Sequence, residues 1–401
     1  MVKEVFEKAK KPRVDYTVPK ADMHVHISLG LSDEGFKRRF QAGRTQLPLD
    51  FIAKRKKRYY QNLTEFHNTY EACRGLTGTP QELAETTQNY LERLAREGAI
   101  YAEISNSFRE GAQFEAQMEA VSQAIESARH NTGIEARIVV TSLRNYGAEK
   151  AEEAVSSIGG LRNQFPLITG FGLVGEEGKN RFSEFKRALH MAWDAGFGLT
   201  PHVAEQHLHN AVDFLDAVPA EAWDINPNDH RRLRVGHGVL IHMSSDLMRE
   251  FVERQIAMEL CISANKRIGL PDETKNLKKG DVITATESNR RISIDQDLQL
   301  YYEQAEAHPI KKFMDMGVPV CLGSDNPLLM NTNAGKEYSM AHKAGVVNES
   351  DHLLLTRNAI TYANIDANTR SRLMALVDIY EKTPNPQATA LGYRRAGTSP
   401  R

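Results

Sequence analysis

Two histidines separated by one residue, His24 and His26, end a short apolar segment near the N-terminus. In a β-strand, side chains two residues apart point to the same face, so both imidazoles can reach one site. Imidazole is a good zinc ligand, and the pair is therefore a candidate for part of a metal site. A second pair with this spacing, His207 and His209, falls where a helix is expected, and there the two side chains diverge. We interpret that second pair as surface or supporting histidines.

Further polar residues lie at the ends of other apolar segments. His202 and Glu205 end the segment TPHVAE, His237 lies inside a Gly-His-Gly sequence, and Asp325 lies in LGSDNP. A fold that buried all these side chains together without using them would carry a large desolvation cost. The sequence therefore predicts that they share one functional site.

The segments that end in these residues have the composition of parallel β-strands. Short stretches rich in Val, Ile and Leu alternate with amphipathic helical stretches, and several of the helices stop at Gly. The eight predicted strands are 20–27, 98–105, 136–143, 168–175, 197–203, 233–238, 256–262 and 318–325. Eight strands close a barrel, so we predict an α/β fold, a (β/α)8 barrel of the TIM type, with the polar residues at its C-terminal face.

Two connections are too long for a plain barrel. Residues 28–97 contain helical pattern over 50–73 and again from Thr79 through Arg96, and residues 263–317 form the second long connection. Insertions after strand C-termini cover the active-site face, so we expect helical lids there. We predict one domain over 1–401, with an irregular tail over about 383–401.

Composition limits the possible partners. Lys and Arg total 51 against 52 Asp and Glu, so no global field attracts nucleic acid or an anionic membrane, and a small-molecule partner is expected. The three cysteines form no CxxC pair, and no signal peptide or membrane span is recognisable. We expect a cytoplasmic protein, and the sequence leaves its oligomeric state open.

The ordered motifs resemble those of a known family. HVHISLG, FGLVGEE, PHVAE, RVGHG and GSDNP, spread over residues 24–327, are similar to the adenosine deaminase branch of the amidohydrolase superfamily. The likeness extends to Tyr101 and Glu103 on the second strand, to Arg144 after the third, and to Glu337. Each motif is short, but the ordered set is highly specific.

The resemblance implies a zinc-dependent hydrolysis that releases ammonia from a purine or purine-like aminated ring. It implies that one zinc ion, or another divalent metal, is held by His24, His26, His202 and Asp325. It further implies that Glu205 protonates the ring nitrogen, that His237 positions the attacking water, and that Gly175 presents its backbone to the purine. These roles agree with the chemistry, because a metal lowers the pKa of bound water to about 7 and a carboxylic acid can protonate the ring.

Two departures from the family concern the substrate. The family's second Asp, which contacts the purine, is replaced by Asn326, and its ribose-binding Asp by Ser28. The Asn326 amide can donate a hydrogen bond to a ring nitrogen or recognise a different group. We therefore keep two alternatives, a metal-dependent amidohydrolase acting on a non-purine heterocycle or cyclic amide, and a non-catalytic binding protein on the same scaffold.

A basic run, Lys54 to Arg58, lies in the first long connection. It could form an electrostatic collar for a phosphate or carboxylate of the substrate. We favour the simpler interpretation, a solvated helix face, and we expect Phe36, Phe40, Phe51 and Phe66 to form the core of the lid.

Overall fold

Eleven strands are present in the computed structural model, within the residues that it describes: 18–48, 50–107, 112–226, 229–285, 288–298, 305–346 and 348–382. They are β1 (Lys20–His26), β2 (Ala99–Asn106), β3 (Glu135–Leu143), β4 (Ile168–Val174), β5 (Gly198–Leu199), β6 (His202–Val203), β7 (Arg234–His237), β8 (Ala257–Leu260), β9 (Val282–Thr284), β10 (Arg291–Ser293) and β11 (Val320–Leu322). All but β9 and β10 belong to parallel pairs, and each predicted strand overlaps an observed one.

The parallel strands form a closed barrel. One sheet has the order β1-β2-β3-β4-β5 and the other β11-β8-β7-β6. Parallel bridges between Val25 and Asp325 and between Leu199 and Leu233 join the two sheets at both edges. β5 and β6 are two parts of one barrel strand, interrupted at Pro201, which has no amide hydrogen to donate. The predicted eight-stranded α/β barrel is confirmed.

Helices surround the barrel and fill its connections. They are α1 (Asp33–Gln41), α2 (Phe51–Lys54), α3 (Leu63–Glu71), α4 (Pro80–Arg96), α5 (Ala112–Thr132), α6 (Ala148–Leu161), α7 (Lys186–Asp194), α8 (Asn210–Ala217), α9 (Ser245–Glu253), α10 (Ile262–Arg267), α11 (Asp272–Lys275), α12 (Ile310–Asp315), α13 (Pro327–Met330), α14 (Ala334–Lys343), α15 (Glu349–Tyr362) and α16 (Ala367–Lys382). The predicted tail over 383–401 lies outside the described residues. No described helix is long and apolar enough to cross a membrane.

The first long connection is partly as predicted. Thr79 caps α4 with a capping box, because its hydroxyl accepts from the Glu82 amide and the Glu82 carboxylate accepts from the Thr79 amide. The helix predicted over 50–73 is instead broken between α2 and α3. There the Tyr60 amide donates to the Arg267 carbonyl across 2.7 Å, so a tertiary backbone contact replaces helical hydrogen bonds.

The aromatic residues of this connection pack as expected, and the basic run does not form a collar. Phe36, Phe51 and Phe66 belong to one buried cluster, with Phe40 packed against it. Within the run, Arg55 is buried and pairs with Asp33 across 2.6 Å, whereas Lys54, Lys56 and Lys57 are exposed. The solvated-face interpretation fits the three lysines, whereas the buried Arg55 contradicts it.

Candidate active site

Four histidines and one aspartate meet where the barrel strands end. His24, His202 and His237 offer nitrogen atoms within 4.8 Å of one another, and His24, His26 and Asp325 form a second such group. His24 is common to both groups and therefore lies at the centre. All five side chains are buried, although the chain positions they come from are far apart.

The orientation of His24 is set by Glu259 on β8. The His24 Nδ1 lies 2.8 Å from Glu259 Oε2, and its Nε2 is buried without a hydrogen-bond partner. Burial lowers the pKa of His24, but the hydrogen bond and the charge of Glu259 outweigh it, so the net pKa is raised. A carboxylate on one ring nitrogen directs the other nitrogen toward a metal, as is usual for liganding histidines.

Glu259 is itself held by a buried arginine. Arg234 Nε donates to Glu259 Oε1 across 2.6 Å, and Thr200 Oγ1 donates to the same oxygen across 2.8 Å. Burial raises the pKa of Glu259, but the Arg234 charge outweighs it and the pKa falls to about 2. Arg234 also pairs with Glu103, so one buried guanidinium is shared by two buried carboxylates.

The remaining donor atoms fit a metal. Asp325 Oδ1 lies 3.3 Å from His26 Nε2 and 3.8 Å from His24 Nε2. His202 Nε2 is a second buried nitrogen without a hydrogen-bond partner. Burial and the neighbouring histidines hold the pKa of His202 well below its usual value, so its nitrogens are free of the extra proton. Three imidazoles and one carboxylate, with two orphaned nitrogens among them, are a donor set that suits a divalent metal.

Glu205 and His237 lie beside this donor set. Glu205 Oε2 is 3.7 Å from His237 Nε2 and 4.0 Å from His202 Nδ1. Burial, followed by the charges of Asp325 and Glu177, raises the pKa of Glu205 well above its usual value. Burial lowers the pKa of His237 to about 3. The raised pKa of Glu205 favours its protonated form, and the lowered pKa of His237 favours the neutral imidazole, so the site places a candidate proton donor beside a candidate acceptor.

The turn that carries Glu205 is fixed by Glu177. The two carboxylate oxygens of Glu177 accept from the backbone amides of Glu205, Gln206 and His207 at 2.9 to 3.0 Å. His207 and His209 precede α8 and their ring centroids are 5.5 Å apart, so the prediction that they lie in a helix and diverge is wrong. They do not line the cavity described below, which agrees with a surface or supporting role.

The backbone is strained at the residues that enter the site. Ala204, His237 and Asp325 have φ of 50°, 64° and 55°, in the left-handed region that residues other than glycine rarely adopt. Asp325 is held there by two backbone hydrogen bonds of 2.7 Å to β1, one to His24 and one from His26. Such strain is typical of functional sites, where the surrounding structure maintains it.

A cavity of about 200 Å³ lies above these groups. Its floor is formed by site residues, its apolar wall includes Leu63, Phe66 and Tyr70 from α3, and acidic residues Glu71 and Glu176 also line it. Gly175 lines it with φ of 100°, and a Cβ atom there would come within 2.4 Å of Asn145 Oδ1. Glycine is therefore required here by the left-handed backbone and by the close approach of Asn145.

The two residues that depart from the family motif are placed differently. Asn326 is buried and lines the cavity. Ser28 does not line the cavity; its hydroxyl lies 3.1 Å from that of Tyr70, which does. Tyr70 therefore lies between Ser28 and the cavity.

Sequence reasoning missed several residues of the site. Glu259 and Arg234 were not singled out, although a charged residue inside an otherwise apolar strand is an available signal. Among the cavity residues of α3, Phe66 was expected in the lid core, whereas Tyr70 was not singled out, and neither was Asn145. Two residues that were singled out only by the family resemblance support the site. Glu103 pairs with Arg234, and Arg144 donates a hydrogen bond to the His202 carbonyl across 2.6 Å.

Comparison with known proteins gives a consistent result. The family model described as adenosine deaminase matches residues 19–277 and 297–380. An adenine deaminase of Sinorhizobium fredii is 30% identical over 367 residues, which cover 90% of this chain and 98% of that protein.

Solved structures share the fold. Adenine deaminase from Arthrobacter aurescens has a TM-score of 0.72 and 21% identity, covering 91% of this chain and 100% of that one. An amidohydrolase from Burkholderia ambifaria, solved with bound zinc, has a TM-score of 0.65 and 18% identity, covering 95% of this chain and 93% of that one.

Replacing the buried guanidinium should destabilise the whole fold. Arg234→Met leaves Glu103 and Glu259 buried without their cation, and we expect a loss of about 3–5 kcal/mol in the free energy of unfolding. Urea unfolding measures this loss of stability. Arg249→Met, which removes an exposed arginine paired with Asp246, should change stability by less than about 0.5 kcal/mol. Equal effects of the two substitutions would contradict the role of Arg234.

A methyl group at Gly236 should disturb the metal ligands while the fold is retained. Its Cβ would lie 2.7 Å from His24 Cε1 and 2.9 Å from His202 Cδ2. We expect Gly236→Ala to weaken metal affinity by about 10–100-fold, the range seen when ligand positioning is lost. Metal titration monitored by elemental analysis checks this. Gly160→Ala, at a position with open space for a Cβ, should leave the affinity unchanged.

Proposed function

The chain belongs to the adenosine deaminase family, and on that basis we propose that it is a zinc-dependent adenine deaminase. Family and relatives make it a hydrolytic deaminase of purine-type substrates. The finer proposal, free adenine as substrate, rests chiefly on one observation. Glu205, whose pKa is raised by burial, and His237, whose pKa is lowered by burial, lie beside a candidate metal donor set on the floor of a cavity of about 200 Å³.

Zinc is the metal that we propose for the site. His24, His26, His202 and Asp325 would hold it, since nitrogen and carboxylate donors of this number suit zinc. When bound, zinc supplies Lewis-acid activation of water at neutral pH. The zinc-bound neighbour of the same fold supports this choice.

The protein's own groups account for the proton movements. His237 accepts a hydrogen bond from the attacking water and orients it toward the ring carbon that bears the amine. As that carbon becomes tetrahedral, Glu205 gives its proton to the adjacent ring nitrogen. His237 takes one proton of the water and passes it to the amine, which leaves as ammonia when the carbon–nitrogen bond breaks. The second proton of the water leaves the oxygen as that atom becomes the oxo group, and it returns to Glu205. The product is the corresponding oxo-purine, which keeps on its ring nitrogen the proton that Glu205 gave.

The cavity favours a free base over a nucleotide. Among the described residues that line it there is no Lys or Arg, whereas Glu71 and Glu176 contribute carboxylates. These two carboxylates are paired with Arg74 and Lys179, so the lining itself supplies no cation for a phosphate. Ser28, at the position of the family's ribose-binding Asp, is turned to Tyr70, and the exposed lysines of the basic run do not line the cavity.

The substrate panel is the direct test. We expect the zinc-loaded protein to release ammonia from adenine with kcat/KM at least about 100-fold above that for AMP, because an unpaired phosphate costs several kcal/mol. The assay measures ammonia from adenine, adenosine, AMP, aminated non-purine heterocycles and cyclic amides. Release only from non-purines would favour the broader amidohydrolase alternative, and turnover of none would favour a binding protein.

Substitutions at Glu205 and Asp325 should separate the effect of proton transfer from the effect of metal binding. Glu205→Gln removes the proton donor without removing a ligand, so we expect full metal content and kcat lower by about 10²–10⁴-fold. Asp325→Ala should lose metal occupancy as well as activity. Metal content and ammonia release, measured on the same preparations, check both variants. A Glu205→Gln enzyme with unchanged turnover would show that another group protonates the ring.

A further inference from the structure

Glu337, in α14, is a buried carboxylate that takes no part in the proton transfers. It is 1% exposed and does not line the cavity. Its Oε2 accepts a hydrogen bond from the Ser263 amide across 3.1 Å, and its Oε1 accepts one from Thr332 Oγ1 across 2.5 Å. Ser263 belongs to α10 and Thr332 follows α13, so one side chain joins two segments that are distant in the chain.

The first of these segments, α10, leads to His237. The helix begins directly after β8, and the Asn265 backbone amide donates to the Cys261 carbonyl across 2.9 Å. Ser263 therefore lies in the same helical turn as Asn265. The side chain of Asn265 lies 3.4 Å from the His237 ring, within hydrogen-bond distance. A displacement of α10 would therefore disturb the surroundings of the imidazole that acts on the attacking water.

The second segment, α13, leads to Asp325. The Met330 amide donates to the Asn326 carbonyl across 2.8 Å, so the helical hydrogen bonds begin at the residue next to Asp325. Thr332 follows at the other end of this short unit, where Glu337 binds its hydroxyl. A change in the position of Thr332 is therefore transmitted to Asp325 through a hydrogen-bonded backbone.

The surroundings of Glu337 decide when it is ionised. Asp22 on β1 faces it, as do Cys261 and Arg267 at the two ends of α10. Burial raises the pKa of Glu337 to about 7, its two hydrogen bonds oppose this shift, and the charge of Asp22 adds to it. Near neutral pH the side chain therefore passes between the carboxylic acid and the carboxylate.

We propose that Glu337 is a positioning residue for the reaction, whose ionised carboxylate holds α10 and α13 in the arrangement that places His237 and Asp325 for catalysis. The proposal rests on the proposed function and concerns a group that does not touch the substrate. Hydrogen bonds to an ionised oxygen are about twice as strong as neutral ones. Loss of the charge therefore weakens the connection between the two segments without removing either hydrogen-bond partner.

A neutral side chain of the same size tests the role of the charge. With zinc saturating and its content measured, we expect Glu337→Gln to lower kcat for adenine about fivefold at pH 8, with KM changed by less than about twofold. The effect falls on kcat because His237 acts on the water. At pH 6 wild-type Glu337 is itself mostly protonated, so the ratio of the two kcat values should fall below about twofold. Taking the ratio cancels groups that titrate in both proteins.

The same variant separates positioning from a purely structural role. Because the pKa of Glu337 in the folded protein exceeds its ordinary value of 4.5, the folded state binds this proton more tightly. Stability from this group is therefore lost as the pH rises from about 5 through 7. Glu337→Gln lacks this loss, so its urea midpoint at pH 8 should be no lower than that of the wild type. A lower midpoint together with the same kcat ratio at both pH values would overturn the proposal.

Two further variants assign the effect to this contact. Glu253→Gln, the same exchange at an exposed position, should leave kcat unchanged at both pH values. Thr332→Val removes the hydroxyl on the α13 side and should lower kcat at pH 8 about threefold. Combined with Glu337→Gln it should lower kcat by no more than about fivefold, since both changes act through one contact. Independent, multiplying effects of the two would contradict the proposed connection.

The two proposals fail separately. Ammonia release from adenine reports on the proposed function, whereas the pH-dependent kcat ratio reports on Glu337 with whichever compound of the panel is deaminated. If none is deaminated, the zinc affinities of wild type and Glu337→Gln replace the rates, since α13 leads to the candidate metal donor Asp325. A ratio of about fivefold at pH 8 that falls below about twofold at pH 6 supports the role of Glu337, and equal affinities at both pH values contradict it.

Discussion

The site depends on a buried ion-pair chain that runs from Arg234 through Glu259 to His24. The three side chains come from β7, β8 and β1, so the chain joins strands from both sheets of the barrel. Burying any one of these charges alone would cost several kcal/mol of desolvation free energy. The opposite charges and hydrogen bonds of the neighbouring side chains offset that cost. Because Glu259 has its pKa held near 2 by Arg234, it stays ionised and keeps the His24 imidazole in one orientation. The geometry of the candidate metal donors therefore depends on the charge of Arg234, which lies outside that donor set.

The contact that closes the barrel at one edge also positions a residue of the site. The bridge that joins the two sheets at one edge is made by Asp325 itself, opposite Val25 between the two β1 histidines. The left-handed backbone at Asp325 and His237 turns each side chain inward at the point where its strand ends. The backbone hydrogen bonds that join the two sheets maintain this strain. The strained residues can therefore direct several polar side chains into one site.

The cavity combines a reactive floor with walls that carry little positive charge. Leu63, Phe66 and Tyr70 give it an apolar side suited to a flat ring, while acidic residues occupy part of its margin. Asn326 also lines the cavity and donates a hydrogen bond to Asp325, so one amide contacts both the cavity and a candidate metal donor.

The sequence by itself determined the eight strands, the barrel and the polar groups at its C-terminal face, because alternation, glycine helix stops and strand-end residues are local signals. It also carried the family motifs. It did not reveal the break between α2 and α3, the role of Glu259, the placement of Ser28 behind Tyr70 or the direction of the Asn326 amide. These depend on contacts between residues distant in the chain; His24 and Glu259 are 235 positions apart. Only closure of the barrel brings such groups within hydrogen-bond range, and hydrogen bonding then decides which atom of each side chain faces the ligand.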